Sequence, residues 1–318
     1  MIEILTSGLM NSVQDLGRPL YLDQGVGRGG AMDRQALTAA NLLVGNEAGA
    51  AGLEIAVFPF RLRFHAPCLV AMTGAVAFAQ LGNRTFPAWW ARQAQAGDEL
   101  RIDAPSAGAR VMLAFSGGID LPLVLGSRAT DLKSGFGGLE GRALKRGDRL
   151  ALGPSRIRAK QPAGHGLDPV LLGRDDPALL RIMAGAEYAD FTDEARSVLL
   201  GSDFIVSRQN NRQGMRLEGD PLILTRKLEL HSHGIMPGTV QVPPSGQAVI
   251  QLAEANTCGG YPKIAHVIGA DQWKLAQARA GDRLRFRLID RAEALAAERA
   301  ARMFETKIAH LAPLALKT

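Results

Sequence analysis

The sequence predicts a mainly β protein, built as two antiparallel barrel or sandwich domains joined by an irregular interval. Three observations carry this. Short apolar runs bounded by glycine and proline fill most of the chain, as in CLVAMTG (68 to 74), AVAFAQLGN (75 to 83) and RVMLAFSGG (110 to 118). One unit recurs: AGDELRI from 96, RGDRLAL from 146 and AGDRLRF from 280 each set Gly-Asp before an alternating strand. Residues 153–178, GPSRIRAKQPAGHGLDPVLLGRDDPA, are rich in proline, glycine and charge and hold no period. These place an N-terminal β domain at 1–155, a linker at 156–178, a C-terminal β domain at 179–290 and a helix with tail at 291–318.

The helices have their own signals. Asp33 is placed to cap RQALTAANLLV, whose Leu37, Ala40, Leu43 and Val44 form an apolar stripe, and Gly45 closes its end. The second half opens with the strand-like LLRIMAG, followed by a helix that starts after Thr192 and stops by Gly201. VQVPPSG and QAVIQLAE then read as a strand, a Pro-Ser-Gly turn and a second strand. From Asp290 the chain turns helical, with Asp290 and Glu293 at capping-box spacing and an expected buried face of Ala292, Ala296, Ala300, Met303 and Phe304.

A chain of 318 residues with 47% hydrophobic content can fill two cores. Lys and Arg number 37 against 31 Asp and Glu, a net charge of +6, but the excess is scattered; even its densest cluster, SRIRAK at 155 to 160, lies in the interval. That pattern suits small anionic molecules and argues against nucleic-acid binding, which calls for a basic patch or a recognisable module. Two distant cysteines, Cys68 and Cys258, imply neither a disulfide framework nor a zinc site. MIEILTSGLMNSV lacks the basic and apolar segments of a secretion signal, and no run of 18 apolar residues occurs, so no membrane association and a cytoplasmic location are expected.

Chemistry concentrates between His231 and Asp271, in HSHGIMPGTVQVPPSGQAVIQLAEANTCGGYPKIAHVIGAD. Gly259 and Gly260 allow close backbone approach and dihedrals closed to other residues, and Pro262 sets the next bend. Free N–H groups there, with Lys263 beside them, suit an anionic oxygen. Gln241 and Glu254 can flank the same loop, and Tyr261 belongs to it. The plainer alternative is a hairpin and a tight turn whose polar groups satisfy backbone. His231 and His233, two apart, would share a strand face, but two histidines make no metal site, so no metal is expected.

Gly25, Gly27 and Gly30 fit the dinucleotide pattern GxGxxG, yet PLYLDQ before them is too polar for the buried strand that fingerprint needs. Two readings fit better: a loop crossing near the site, with Arg28 and Asp33 as lining residues, or a purely structural turn. There is no GxxxxGK[ST] phosphate loop, and AMTG and IMAG lack the lysine of a biotin attachment site. Arg208, Arg212 and Arg216 lie near turn-forming Asn210 and Asn211, either on a solvated loop or as a planar fork for a carboxylate or phosphate, and the family resemblance described below falls on Arg212. Asp131, Lys133, Glu140 and Arg142 around GFGG are expected to pair partly with one another.

HSHGIMPGTVQVPPSGQ and NTCGGYPKIAHVIGADQWKLAQARAGD, with VQDLGRP (13 to 19), GAMDRQAL (30 to 37), LGSRATDLKSGFGGLEGRALKRGD (125 to 148) and NNRQGMRL (210 to 217), resemble the biotin-dependent carboxyltransferase-like family. That family takes in the C subunits of 5-oxoprolinases and the allophanate hydrolase subunit 2 proteins; ATDLK, GGLEGR and Ser232-His233-Gly234 are most similar to the 5-oxoprolinase group. The resemblance implies two cyclophilin-like barrels, and a hydrolase component that opens the lactam of 5-oxo-L-proline to L-glutamate with ATP and Mg, held by this chain or by the complex. It also implies two partner proteins, the A-type and B-type subunits of such an enzyme.

His233, Glu254 and Lys263 are the candidate catalytic residues, with Arg212, Gln241, Gly259, Gly260 and Tyr261 for substrate. Two other functions fit the family: transfer of a carboxyl group from carboxybiotin on another chain to urea or another amide, and non-catalytic regulation through a histidine-kinase inhibitor. Asn256-Thr-Cys258, Glu254 and the Gln-Gly-Met of 213 to 215 depart from the family pattern beside the proposed pocket, which bears on substrate identity.

Overall fold

Each of the three Gly-Asp repeats closes the same turn. Gly97, Gly147 and Gly281 have φ of 90°, 89° and 89°, the left-handed value required at the third position of a type II turn. The following aspartate donates its N–H to the carbonyl three residues back, Asp98 to Gln95, Asp148 to Lys145 and Asp282 to Arg279. Its carboxylate accepts the N–H of that same residue, at 2.9, 2.8 and 2.8 Å. Strands Glu99–Ile102, Arg149–Leu150 and Arg283–Leu288 start from these turns.

The computed structural model describes residues 1–155, 164–167 and 178–315, so most of the expected linker at 156–178 lies outside the described residues. The chain divides into two compact units, Met1–Arg18 with Gly29–Leu172 and Met303–Thr318, and Pro19–Arg28 with Gly173–Arg302.

In the first unit two six-stranded antiparallel sheets enclose one core. Phe60–Phe64 shows the period of two: Phe60, Leu62 and Phe64 are buried, while Arg61 and Arg63 face out and bind Glu99 at 2.5 and 2.6 Å. In the second sheet residues 68–75 and 111–115, within strands Cys68–Val76 and Ala107–Phe115, are buried on both faces. Helix Arg34–Leu43 explains this, because it covers their far side with Ala40, Leu43 and Val44 against Leu69, Ala71 and Ala114. Asp33 caps that helix through the Ala36 N–H, 2.9 Å, and Gly45 follows its end with φ 69°.

The second unit is a closed seven-stranded barrel, in the order Ala178–Ala184, Lys263–Val267, Thr239–Gln241, Val249–Gln251, Gly214–Glu218, Phe204–Val206 and Arg283–Leu288. Every pairing but one is antiparallel; the barrel shuts where Ala178–Ala184 runs parallel to Arg283–Leu288. Thr192 caps helix Asp193–Gly201 through the Ala195 N–H. The hairpin at 239–251 forms around the bond from Gly246 N–H to Pro243 O.

The last helix, Arg291–Ala315, corrects an expectation. Asp290 does cap the Glu293 N–H at 2.8 Å, but the Glu293 carboxylate pairs with Arg287 instead of returning to the cap. Ala292, Ala296 and Ala300 are exposed and Met303 is largely so; Ala294 and Ala297 are buried against Ile268 and Ile289 in the second unit. Beyond Arg302 the helix belongs to the first unit, where Ile308 and Phe304 pack with Ala36, Leu37 and Trp89. Alanine occurs on every side of this helix, so the partner surface rather than the pattern selects the buried stripe.

Candidate functional site

One end of the barrel carries an added two-stranded sheet, in which His233–Gly234 pairs with Cys258–Gly259 and sets His233 opposite Gly259. The bend after it leads through Tyr261 and Pro262 into strand Lys263–Val267, beside Thr239–Gln241. This brings His233, Gln241, Gly259, Tyr261 and Lys263 into one neighbourhood.

Lys263 is its centre. Its residue is only 6% exposed, and its ammonium donates to the carbonyl oxygens of Tyr261, 3.1 Å, and Gly259, 3.4 Å. An ammonium has three donors, so one remains for a ligand. Burial lowers the lysine pKa from its ordinary value, while the negative charge of Glu187 acts the other way. The carbonyls of Gly259 and Tyr261 face this cation. Neither Gly259 nor Gly260 has a left-handed φ. Space is what Gly259 supplies, since a Cβ there would lie 2.7 Å from Gln241 Nε2.

Gln241 is buried and fixed by two amide contacts, donating to Tyr261 O at 3.3 Å and accepting from Gln251 at 2.9 Å. Tyr261 is 50% exposed and forms the rim. His233 Nδ1 lies 3.0 Å from His231 O, an acceptor only, so Nδ1 carries a proton and, in the neutral ring, Nε2 holds the lone pair. That Nε2 faces Glu187 Oε1 at 3.9 Å, and the His233 side chain is 44% exposed. His231 precedes the short strand and contributes its backbone, not a second imidazole on the same face.

Glu187 escaped the sequence reading. Its Oε2 accepts the Lys263 N–H at 2.8 Å, its own N–H bonds to Lys263 O, and its Oε1 faces His233. It lies 76 positions away in AEYADF, where no local pattern marks it.

Arg212 and Glu254 are close to the site but closed on each other. Arg212 Nε donates to Glu254 Oε1 at 2.5 Å, with side-chain exposures of 2% and 3%. The Glu254 N–H also bonds to Arg212 O, joining Gly214–Glu218 to the loop before Asn256. A buried, hydrogen-bonded pair of this kind orders its surroundings rather than offering an open fork or a mobile proton.

In the first unit the motif residues form a framework. Asp15 accepts from Gly17 N–H, Ser127 hydroxyl and Arg128 N–H, and fully buried Arg18 donates to Ala129 O and covers the Phe136 ring. Arg142 binds Glu140 and Asp148, as its charged surroundings suggested. The Gly25–Gly30 stretch follows short 3-10 turns over Pro19–Gln24 instead of a strand, which removes the dinucleotide reading. Asp33 is a helix cap. The described residues contain no group of three or more His, Cys, Asp and Glu able to hold a metal, and no helix long and apolar enough to cross a membrane.

This mostly β fold, with one unit closed into a seven-stranded barrel, is shared with solved urea carboxylase and urea amidolyase chains. The model of the carboxyltransferase domain, subdomain A and B, matches residues 24–288, and the chain belongs to this family. It is similar to the C subunit of 5-oxoprolinase from Escherichia coli K12, with 41% identity over 297 residues that cover 93% of this chain and 94% of that one. Similarity to the corresponding 5-oxoprolinase protein of Haemophilus influenzae is 36% over 294 residues, covering 92% and 93%. The crystal structure of the Kluyveromyces lactis urea amidolyase matches with a TM-score of 0.89 and 27% identity over 96% of this chain, which spans 20% of that longer polypeptide.

Proposed function

We propose that this chain is the C subunit of an ATP-dependent 5-oxoprolinase and that its barrel-end cluster handles the lactam while it is opened to L-glutamate. End-to-end identity of 41% to a protein named for that role is the observation that carries the reading. The convergence of His233, Glu187, Lys263 and Gln241 supplies its chemistry.

A lactam carbonyl is a weak electrophile because nitrogen donates into it. Transfer of the ATP γ-phosphoryl group to the amide oxygen releases ADP and removes that protection. Water then adds to the carbon and the ring C–N bond breaks as nitrogen takes a proton; a second water frees phosphate. In this reading the lone pair of His233 Nε2 accepts a proton from water, and Glu187 steadies the imidazolium that results. The remaining Lys263 donor stabilises negative charge on oxygen. Gln241 and the Gly259–Gly260 bend orient the ring, Tyr261 borders it, and the Arg212–Glu254 pair holds the loop that carries them. ATP and its Mg belong to the assembled complex with A-type and B-type partner proteins, and no step is routed through a metal on this chain.

A second reading, carboxyl transfer to urea or another amide from carboxybiotin on a separate chain, is favoured by the family and by the urea amidolyase likeness. One assay separates them: glutamate formation from 5-oxo-L-proline and ATP by the three proteins of the complex, each omitted in turn. The first reading expects turnover that needs this chain. Activity that requires bicarbonate and a biotin carrier would replace it with the second.

A further inference from the structure

Neither cation singled out by sequence is open to a ligand's full charge. Lys263 is engaged by two carbonyls and offset by Glu187, and Arg212 is closed on Glu254. Arg28 is different. It ends the segment PLYLDQGVGR, residues 19–28, which packs with the second unit although the chain on both sides of it belongs to the first.

Its neighbour Gly27 rests on the loop beside the site: a Cβ there would lie 3.2 Å from Ala255 O. Ala255 follows Glu254 and stands three residues before Cys258, so at most about 11 Å of extended chain separates it from the two-stranded sheet. Arg28 is half-buried, and its Nε is enclosed with no hydrogen-bond partner among the described residues. No carboxylate among them offsets it, and burial alone lowers its pKa from the usual arginine value. An enclosed Nε without a partner on a half-buried guanidinium is costly, and an anion arriving at the neighbouring polar site offsets that cost.

We infer that Arg28 is the anion anchor of the second unit's site, taking the carboxylate of a small ligand on its guanidinium fork. The planar fork fits a carboxylate or a phosphate through paired N–H donors, which a lysine does not match. Residues 19–28 are thereby a specificity element, setting the charged end of the ligand while the barrel handles its reacting end. The inference rests on the proposed function for the ligand's identity, but not for its charge.

Binding to the full chain tests it, by titration calorimetry with 5-oxo-L-proline, with 2-pyrrolidinone, which is the same ring without the carboxylate, and with inorganic phosphate. The expected result is binding of 5-oxo-L-proline at least tenfold tighter than of 2-pyrrolidinone. Arg28→Ala abolishes that difference, Arg28→Lys restores part of it, and the melting temperature of Arg28→Ala equals or exceeds that of the parent. Equal binding of 5-oxo-L-proline by parent and Arg28→Ala overturns the inference, as does a parent that binds none of the three. A lowered melting temperature with the tenfold preference intact makes Arg28 structural and also overturns it. Phosphate binding lost in Arg28→Ala, with no binding of either ring compound, keeps the anchor and removes the lactam reading.

Discussion

Asp15 in the first unit and Glu187 in the second are both low-exposure carboxylates that organise a glycine-containing loop, yet they finish differently. Asp15 takes three donors, from Gly17, Ser127 and Arg128, at 2.7, 2.6 and 2.5 Å, so that both of its oxygens are engaged by the frame. Glu187 takes one N–H at 2.8 Å, and its other oxygen stands 3.9 Å from an imidazole that is itself open to solvent. Motif density alone does not distinguish a frame from a site. Completion of the hydrogen bonds does: saturated groups hold shape, and partly engaged ones retain capacity for a substrate.

Substitutions can break this contrast, and the largest effect belongs to the frame. Asp15→Ala leaves three donors without an acceptor in a buried loop and is expected to cost about 3–5 kcal/mol of stability, with turnover per folded molecule nearly unchanged. Urea unfolding followed by circular dichroism, with assays on the folded fraction, checks both halves. Lys263→Met is the converse: turnover in the reconstituted complex falls by about 10²–10³-fold, the size typical of losing one donor to developing charge. Normal turnover by this variant would remove Lys263 from the chemistry.

His233→Asn keeps a polar side chain but removes the basic Nε2, and turnover is expected to fall by about 10²-fold, mostly in kcat. An unchanged unfolding midpoint beside the lowered kcat would separate this from a packing defect. Gly259→Ala drives a methyl toward Gln241 Nε2 and is expected to raise KM severalfold with little change in unfolding midpoint.

The smallest effect is one of pH. Because the folded pKa of Lys263 is lowered, the folded chain binds fewer protons than the unfolded one between the two values. Stability from this group therefore rises with pH through that alkaline window, while activity needing the charged ammonium falls. Unfolding midpoints of parent and Lys263→Met across the window show the slope and its loss.

Local features were legible because local chemistry determines them. The three Gly-Asp turns, the Asp33 and Thr192 caps and the 239–251 hairpin follow from spacing within a few residues. The neighbourhood of His233, Gln241, Gly259, Tyr261 and Lys263 was readable for the same reason, being nearly contiguous in the chain. Glu187 was not, because strand pairing rather than local pattern brings it across from AEYADF. Arg212 and Glu254 read as separate ligands because sequence shows two charges and not that they meet 42 positions apart. The polar run PLYLDQ ruled out a Rossmann strand, but nothing in it foretold which unit residues 19–28 would join.

Synthesis of this chain on the ribosome inherits a constraint from its wiring. The barrel's opening strand, Ala178–Ala184, finds its parallel neighbour only when Arg283–Leu288 has been made, and the first unit still awaits Ile308. Neither half can therefore mature as the nascent polypeptide emerges, and severing it near residue 165 yields two fragments that each lack a piece retained by the other.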